Sequence, residues 1–173
     1  MLLDADVVIG LFEIGIWEKL VDRTRVTLSQ QVLDEAQHYY DSETMARKCI
    51  NLQPYVDEAK IDVLACDAQE VAPVRSQCCK FAILHPGELE SLAILNRIGS
   101  DALFCTADRG AIRAAVMLDL AERVISLEEL LVRVGLKRNF TDNEDLQYSE
   151  QAFKRAVRRA SIDKVEGFGT GGQ

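Results

Sequence analysis

Histidine is nearly missing from this chain. His38 and His85 are the only two, and they fall in different segments. That scarcity argues against a histidine-based zinc centre. Cysteine is present as Cys49, Cys66, Cys78, Cys79 and Cys105, five in all. The odd count and the adjacent Cys78–Cys79 pair match neither a zinc spacing nor a disulfide framework. Reduced, buried or semi-buried thiols in a cytoplasmic protein are expected. No apolar run approaches the roughly 18–20 residues of a membrane span, so no membrane partner is expected. The opening MLLDAD has no basic stretch ahead of an apolar one, so no signal peptide is expected. Internal repeats are absent as well.

The chain of 173 residues is 48% hydrophobic and 28% charged, which fits one soluble domain with a sizeable core. Its net charge of −8 argues against tight non-specific binding of nucleic acid. The charge is uneven, however. Residues 151–173 carry five basic side chains, Lys154, Arg155, Arg158, Arg159 and Lys164, against Asp163 and Glu166. That segment is net +3 and leaves −11 on the first 150 residues. An enzyme that meets phosphates through a bound cation remains compatible with this balance.

Short apolar runs alternate with helical periodicity. Residues 1–9 (MLLDADVVI) read as a β-rich opening, followed by a helix around EIGIWEKLVDR. RVTLS is a strand, and Ser29 caps a helix over QQVLDEAQHYYD. Residues 42–53 read as a further helix closed near Pro54. A strand at 61–65 leads to a helix capped by Asp67 and running to about Phe81. Pro86 and Gly87 introduce the helix ELESLAILNRI, which Gly99 ends. Then come a strand at 102–106, the helix ADRGAIRAAVMLDL and the strand RVIS. Ser126 and Glu129 form a capping box for LEELLVRVG, stopped by Gly135. The polar stretch KRNFTDNED precedes a last helix, YSEQAFKRAVRRASI. Continuous rather than alternating apolar strands predict a mostly parallel sheet covered on both faces, a three-layer α/β/α sandwich.

Four acids stand out against this frame. Asp4 ends the first apolar run, Glu35 lies on a half-apolar helix, Glu88 opens a helix and Asp108 follows an apolar strand. Acidic side chains are rarely buried unless paired or bound to metal. In a parallel sheet the functional crevice lies at the carboxyl ends of the strands, where Asp4 and Asp108 both fall. Carboxylates from distant segments are what Mg²⁺ or Mn²⁺ prefers, and such an ion activates water toward a phosphodiester. Asp6 and Glu90 each lie two residues from a main candidate and are candidate supporting or second-metal ligands. Plainer readings stand beside these. Asp4 and Asp108 are placed as caps, Glu88 as a partner of a helix dipole, and Glu35 as a solvated acid. Thr106 either bonds a site carboxylate or satisfies backbone, and Arg109 and Arg113 meet RNA phosphates or surface acids.

These four segments, in this order, resemble PIN-domain (VapC-like) nucleases. MLLDADVVIGL is similar to the opening strand and loop of that family, with Asp4 at its first metal-binding aspartate. QQVLDEA resembles the second acidic position at Glu35, and HPGELESLAIL the GE-x-E-x-x-A helix, giving Glu88 and Glu90. FCTADRGAIRAA is similar to the TxDxxxRxxA segment, giving Asp108 with Thr106 in support. The resemblance covers roughly residues 1–130. It implies catalysis by Asp4, Glu35, Glu88 and Asp108, with Asp4, Glu88 and Asp108 on Mg²⁺ or Mn²⁺. It further implies an endoribonuclease acting on single-stranded or structured RNA, often the toxin of a toxin–antitoxin pair with an antitoxin protein as partner, and often a homodimer. Many members carry an acid at the place of Ala107 or shortly beyond Asp108, where this chain has Gly110 and Ala111. A nuclease domain over 1–136, a helical extension over 137–166 and a disordered tail over 167–173 follow. On the extension, Phe153, Ala156, Val157 and Ala160 form an apolar stripe beside a basic face. That face is either solvated or the wall of an RNA groove or partner site.

Two other functions stay open. The first is a non-catalytic binding module on the same fold, favoured by the missing acid beyond Asp108. The second is a DxD phosphatase with Asp4 as nucleophile and Asp6 as acid. Val7 and Val8 follow where such enzymes carry a small flexible turn, and no lysine is placed for the phosphate.

Overall fold

A computed structural model describes residues 1–41, 44–78, 80, 82–140 and 146–166. The first half contains β1 (Leu2–Leu3), α1 (Ala5–Glu13), α2 (Trp17–Val21), β2 (Val26–Ser29) and α3 (Gln30–Glu35). It continues through β3 (His38–Tyr40), β4 (Arg47–Cys49), α4 (Gln53–Asp57), β5 (Ile61–Leu64) and α5 (Ala68–Cys78). The second half contains α6 (Pro86–Arg97), β6 (Phe104–Cys105), α7 (Arg109–Met117), β7 (Val124–Ile125), α8 (Leu127–Arg133) and α9 (Glu150–Val165). The expected polar stretch before α9 lies partly, at 141–145, outside the described residues, and so does the expected tail at 167–173.

The central sheet has five parallel strands in the order β5-β2-β1-β6-β7. Leu2 is paired with both Thr27 and Phe104, and Cys105 with Leu3 and Ile125. Side chains alternate across a pleated strand, so this register sorts the core into two layers. Leu3, Cys105 and Ile125 pack with Val7, Leu11, Trp17, Leu127 and Leu130 on one face. Leu2, Phe104 and Val124 pack with Leu92, Leu95, Ala111 and Ala115 on the other. Helices therefore cover both faces, giving the expected α/β/α sandwich, and every central strand is buried on both sides. No helix of the described residues is long and apolar enough to cross a membrane. Cys49, Cys66, Cys78 and Cys105 are free thiols.

Three expectations change. The opening strand is only Leu2–Leu3, and ADVVI at 5–9 is helix rather than β. Val7, Val8 and Ile9 favour a strand locally. Asp4 caps the helix, and burying Val7, Val8 and Leu11 on the sheet outweighs that preference. The second difference is at HYY, which leaves α3 and pairs as β3 with β4, where a helix over 42–53 was expected. Asp41 directs this turn: its Oδ1 accepts from the Thr44 amide at 2.9 Å and from the Thr44 hydroxyl at 2.8 Å. Met45 then takes a left-handed φ of 54°. Third, Ser126 does accept from the Glu129 amide at 3.1 Å, but the Glu129 carboxylate turns away to Arg133, so only half of the expected capping box forms.

The last helix is built into the domain rather than trailing from it. Ser149 caps α9 by accepting from the Ala152 amide, and the Glu150 amide donates to Glu128 at 2.7 Å. Lys164 donates to the Val116 carbonyl at the end of α7 and pairs with Asp119 at 2.6 Å. Just before α9, the Tyr148 hydroxyl donates to the Asp6 carbonyl at 3.2 Å. Tyr148 lies directly over Gly10, where an added Cβ would stand 2.8 Å from the Tyr148 oxygen. Both sides of that contact are buried, so the ring has nowhere to move. Gly10→Val is expected to destabilise the fold by about 1–3 kcal/mol through overpacking. Urea unfolding of the variant against wild type measures it.

Candidate functional site

The carboxyl edge of the sheet is organised around Thr106. Its side chain is fully buried. The hydroxyl donates to Asp4 Oδ2 at 2.6 Å and accepts from the Asp108 amide at 3.1 Å. One oxygen thus joins the end of β1 to the start of α7. The Asp4 amide adds a second tie by donating to the Cys105 carbonyl at 3.1 Å.

Asp4 is 5% exposed. Its Oδ1 accepts from the Ala5 amide at 2.8 Å, so it caps α1 while facing the site. Burial pushes this carboxyl up to about 6; the bonds from Thr106 and Ala5 oppose the shift, and the charges of Asp6 and Asp108 add to it. Asp6 stands in the first turn of α1. Its carboxyl is raised by desolvation from the surrounding chain and then by Asp108, with His85 opposing. Asp108 caps α7, its Oδ1 accepting from the Ala111 amide at 2.8 Å.

Glu88 lies in the first turn of α6 and is 7% exposed. Its Oε2 accepts from the His85 amide at 2.8 Å. Burial pushes this carboxyl up to about 8, the His85 amide opposes, and the charges of Asp108, Asp4 and Asp6 add to the rise. Four acids from three separate segments therefore feel one another at a single edge. No ion pair among the described residues involves any of them.

Glu35 ends α3 beside this group. Its Oε1 accepts from the Gly87 amide at 3.3 Å, and a Cβ on Gly87 would stand 2.7 Å from Oε2. Only glycine at 87 lets the Glu35 carboxylate reach the start of α6 next to Glu88. Glu90 goes elsewhere. Two helical steps carry it about 200° around α6 from Glu88. Its Oε1 accepts from the Cys66 amide at 3.0 Å and its Oε2 from the Gln31 amide at 2.8 Å. Glu90 therefore ties α3 to the loop after β5 and stands apart from the other acids. Arg109 is exposed and makes no ion pair among the described residues. The role of Gly87 was not visible in the sequence beyond its place between Pro86 and Glu88.

The donor set is oxygen only, carboxylates with a threonine hydroxyl behind them, which suits a hard cation such as Mg²⁺ or Mn²⁺. Burial, with smaller contributions from neighbouring acids, raises Asp4 and Glu88, and a cation bound among them would offset that rise. As they stand, no group of three or more His, Cys, Asp or Glu side chains among the described residues is gathered closely enough to hold a metal ion. Asp4, Glu88 and Asp108 are each held by backbone amides at element ends, which keeps them as a coupled set rather than a closed coordination shell. The chain matches no family model, no curated protein and no solved structure. What the site does must be read from its own geometry.

The raised acids have a consequence for stability. The folded state holds protons on Asp4 and Glu88 that the unfolded chain has released, so this contribution is complete below about pH 4. It is lost as pH rises through about 6 for Asp4 and about 8 for Glu88. In chelator, the unfolding free energy is expected to fall by about 5 kcal/mol between pH 5 and 8.5, most of it from Glu88. Glu88→Gln should flatten the upper half of that curve, because glutamine keeps the acceptor for the His85 amide. Urea unfolding across this pH range checks both.

Proposed function

We propose that this chain is a Mg²⁺- or Mn²⁺-dependent endoribonuclease that hydrolyses phosphodiester bonds of single-stranded RNA, as the resemblance to PIN-domain nucleases implies. The observation that supports it best is that Asp4, Asp6, Glu88 and Asp108 come to one sheet edge with no ion pair among the described residues, while burial first and neighbouring acids second raise the carboxyls of Asp4, Asp6 and Glu88. Asp4, Glu88 and Asp108 are the residues that would hold the cation. When bound, the cation supplies an activated water and neutralises charge on the phosphate. The rest falls to the chain. Thr106 fixes the Asp4 carboxylate and the start of α7 in one register. Glu35, whose carboxylate accepts from the Gly87 amide at the start of α6, would orient a water or accept its proton. Both oxygens of Asp4 are engaged by hydrogen bonds, which suits a fixed ligand better than an attacking nucleophile.

A binding module without catalysis is the second reading, favoured by the separation of the acids. Calorimetry with Mn²⁺ distinguishes the two, because only the nuclease reading requires carboxylate-dependent binding of the ion.

Wild type is expected to cleave a mixed single-stranded RNA pool in Mn²⁺, and Asp108→Asn to abolish cleavage. Asparagine caps a helix as well as aspartate does, so thermal unfolding of that variant should change little. Thr106→Val, which removes only the tether, is expected to lower activity or metal affinity by about 10- to 100-fold. Metal-dependent cleavage that survives Asp108→Asn would end the nuclease reading.

A further inference from the structure

A cavity of about 620 Å³ runs between α7 and α9. Among the described residues, its charged lining is Arg109, Arg113, Arg155, Arg159 and Asp163. Four guanidinium groups thus face one carboxylate in a chain whose net charge is −8. Asp163 accepts from Arg113 at 3.0 Å and from Arg159 at 3.3 Å, which fixes one arginine from each wall. Arg109 and Arg155 are exposed and form no ion pair among the described residues. One carboxylate cannot neutralise four such groups, so the trough keeps a net positive field. The guanidinium fork matches phosphate oxygens in a paired geometry.

Two features separate this trough from an ordinary basic surface. Arg109 and Arg113 stand about one turn apart on one wall, and Arg155 and Arg159 about one turn apart on the other, roughly 6 Å in each case. Two rows of cations suit a chain of regularly spaced charges better than a single anion. The trough also abuts the acids. Gly110 lines it, and a Cβ there would stand 2.9 Å from Asp108 Oδ1 and 3.2 Å from the Ile83 carbonyl. The wall of the trough at Gly110 therefore lies against that carboxylate.

We propose that the α7–α9 trough seats the sugar–phosphate backbone of single-stranded RNA, with Arg109, Arg113, Arg155 and Arg159 meeting successive phosphates and leading the strand to Asp108. The identity of the strand rests on the nuclease reading; the seat itself is tested separately. α9 is then the wall of the substrate groove, and its docking on α7 is part of the binding site.

The test is fluorescence anisotropy with a labelled oligouridylate of about twelve nucleotides, in chelator so that nothing is cleaved. Arg155→Gln/Arg159→Gln is compared with Lys154→Gln/Arg158→Gln. Both pairs remove two charges from exposed positions of α9, but only the first lines the trough. The first pair is expected to weaken binding at least about tenfold and to lower the salt slope by about 1.4, the loss of two phosphate contacts to a single strand. The second pair should change affinity less than about twofold. Thermal unfolding confirms that both variants fold. Equal weakening by both pairs, or by neither, would overturn the trough, and so would equal affinity for a poly-glutamate peptide. If wild type cleaves RNA in Mn²⁺ while the trough pair binds normally, only this inference falls. Trough-dependent binding without cleavage would retain the seat and remove the nuclease.

Discussion

The hydroxyl of Thr106 is the contact on which the candidate site depends. It is fully buried, donates to the Asp4 carboxylate and accepts from the Asp108 amide. β1 and β6 contribute only two residues each to the sheet. Ladders that short leave the ends of the strands weakly constrained by backbone pairing alone. A buried, charge-assisted hydrogen bond across the two ends supplies the missing constraint and sets where α1 and α7 begin. Both capping aspartates are therefore structural and site residues at once.

Holding several acids at one edge works against folding. Burial and mutual repulsion keep Asp4 and Glu88 protonated well above the usual carboxylate range. The fold tolerates this because each acid sits at a helix start, where backbone amides and the helix dipole favour negative charge. The result is a set of carboxylates at one edge, Asp4 and Glu88 buried and Asp108 half-buried, with no ion pair among the described residues. The opposite charge lies close by, in the arginines between α7 and α9. The two fields meet where Arg109 and Gly110, which line the trough, follow Asp108 in the chain.

Much of the architecture is legible in the chain because it is written locally. Ser29 and Asp67 cap helices, Pro86 opens one, and Gly135 ends one in a left-handed conformation, all through contacts within a few residues. Errors arise where distant packing overrides local preference. Val7, Val8 and Ile9 favour a strand but fold as helix because the sheet needs their bulk on its face. A helix was expected over 42–53, of which 42 and 43 lie outside the described residues; Arg47–Cys49 instead pairs with His38–Tyr40 in a hairpin held by Asp41 and Thr44 and packed against Phe12 through Tyr39. Glu88 and Glu90 look equivalent in sequence, yet the helix turns one toward the acids and the other toward the amides of Gln31 and Cys66.

The sequence by itself determines the α/β/α class, the places of the five central strands along the chain and several of the helix caps, because caps, turns and apolar runs act over short range. It also reveals that positive charge is concentrated in the last helix. Tertiary structure alone decides which acids share an edge, because their proximity depends on strand order and on single buried atoms such as Thr106 Oγ. It alone brings Arg155 and Arg159 of α9 opposite Arg109 and Arg113 of α7, more than forty positions earlier in the chain, since they meet only when α9 docks on α7.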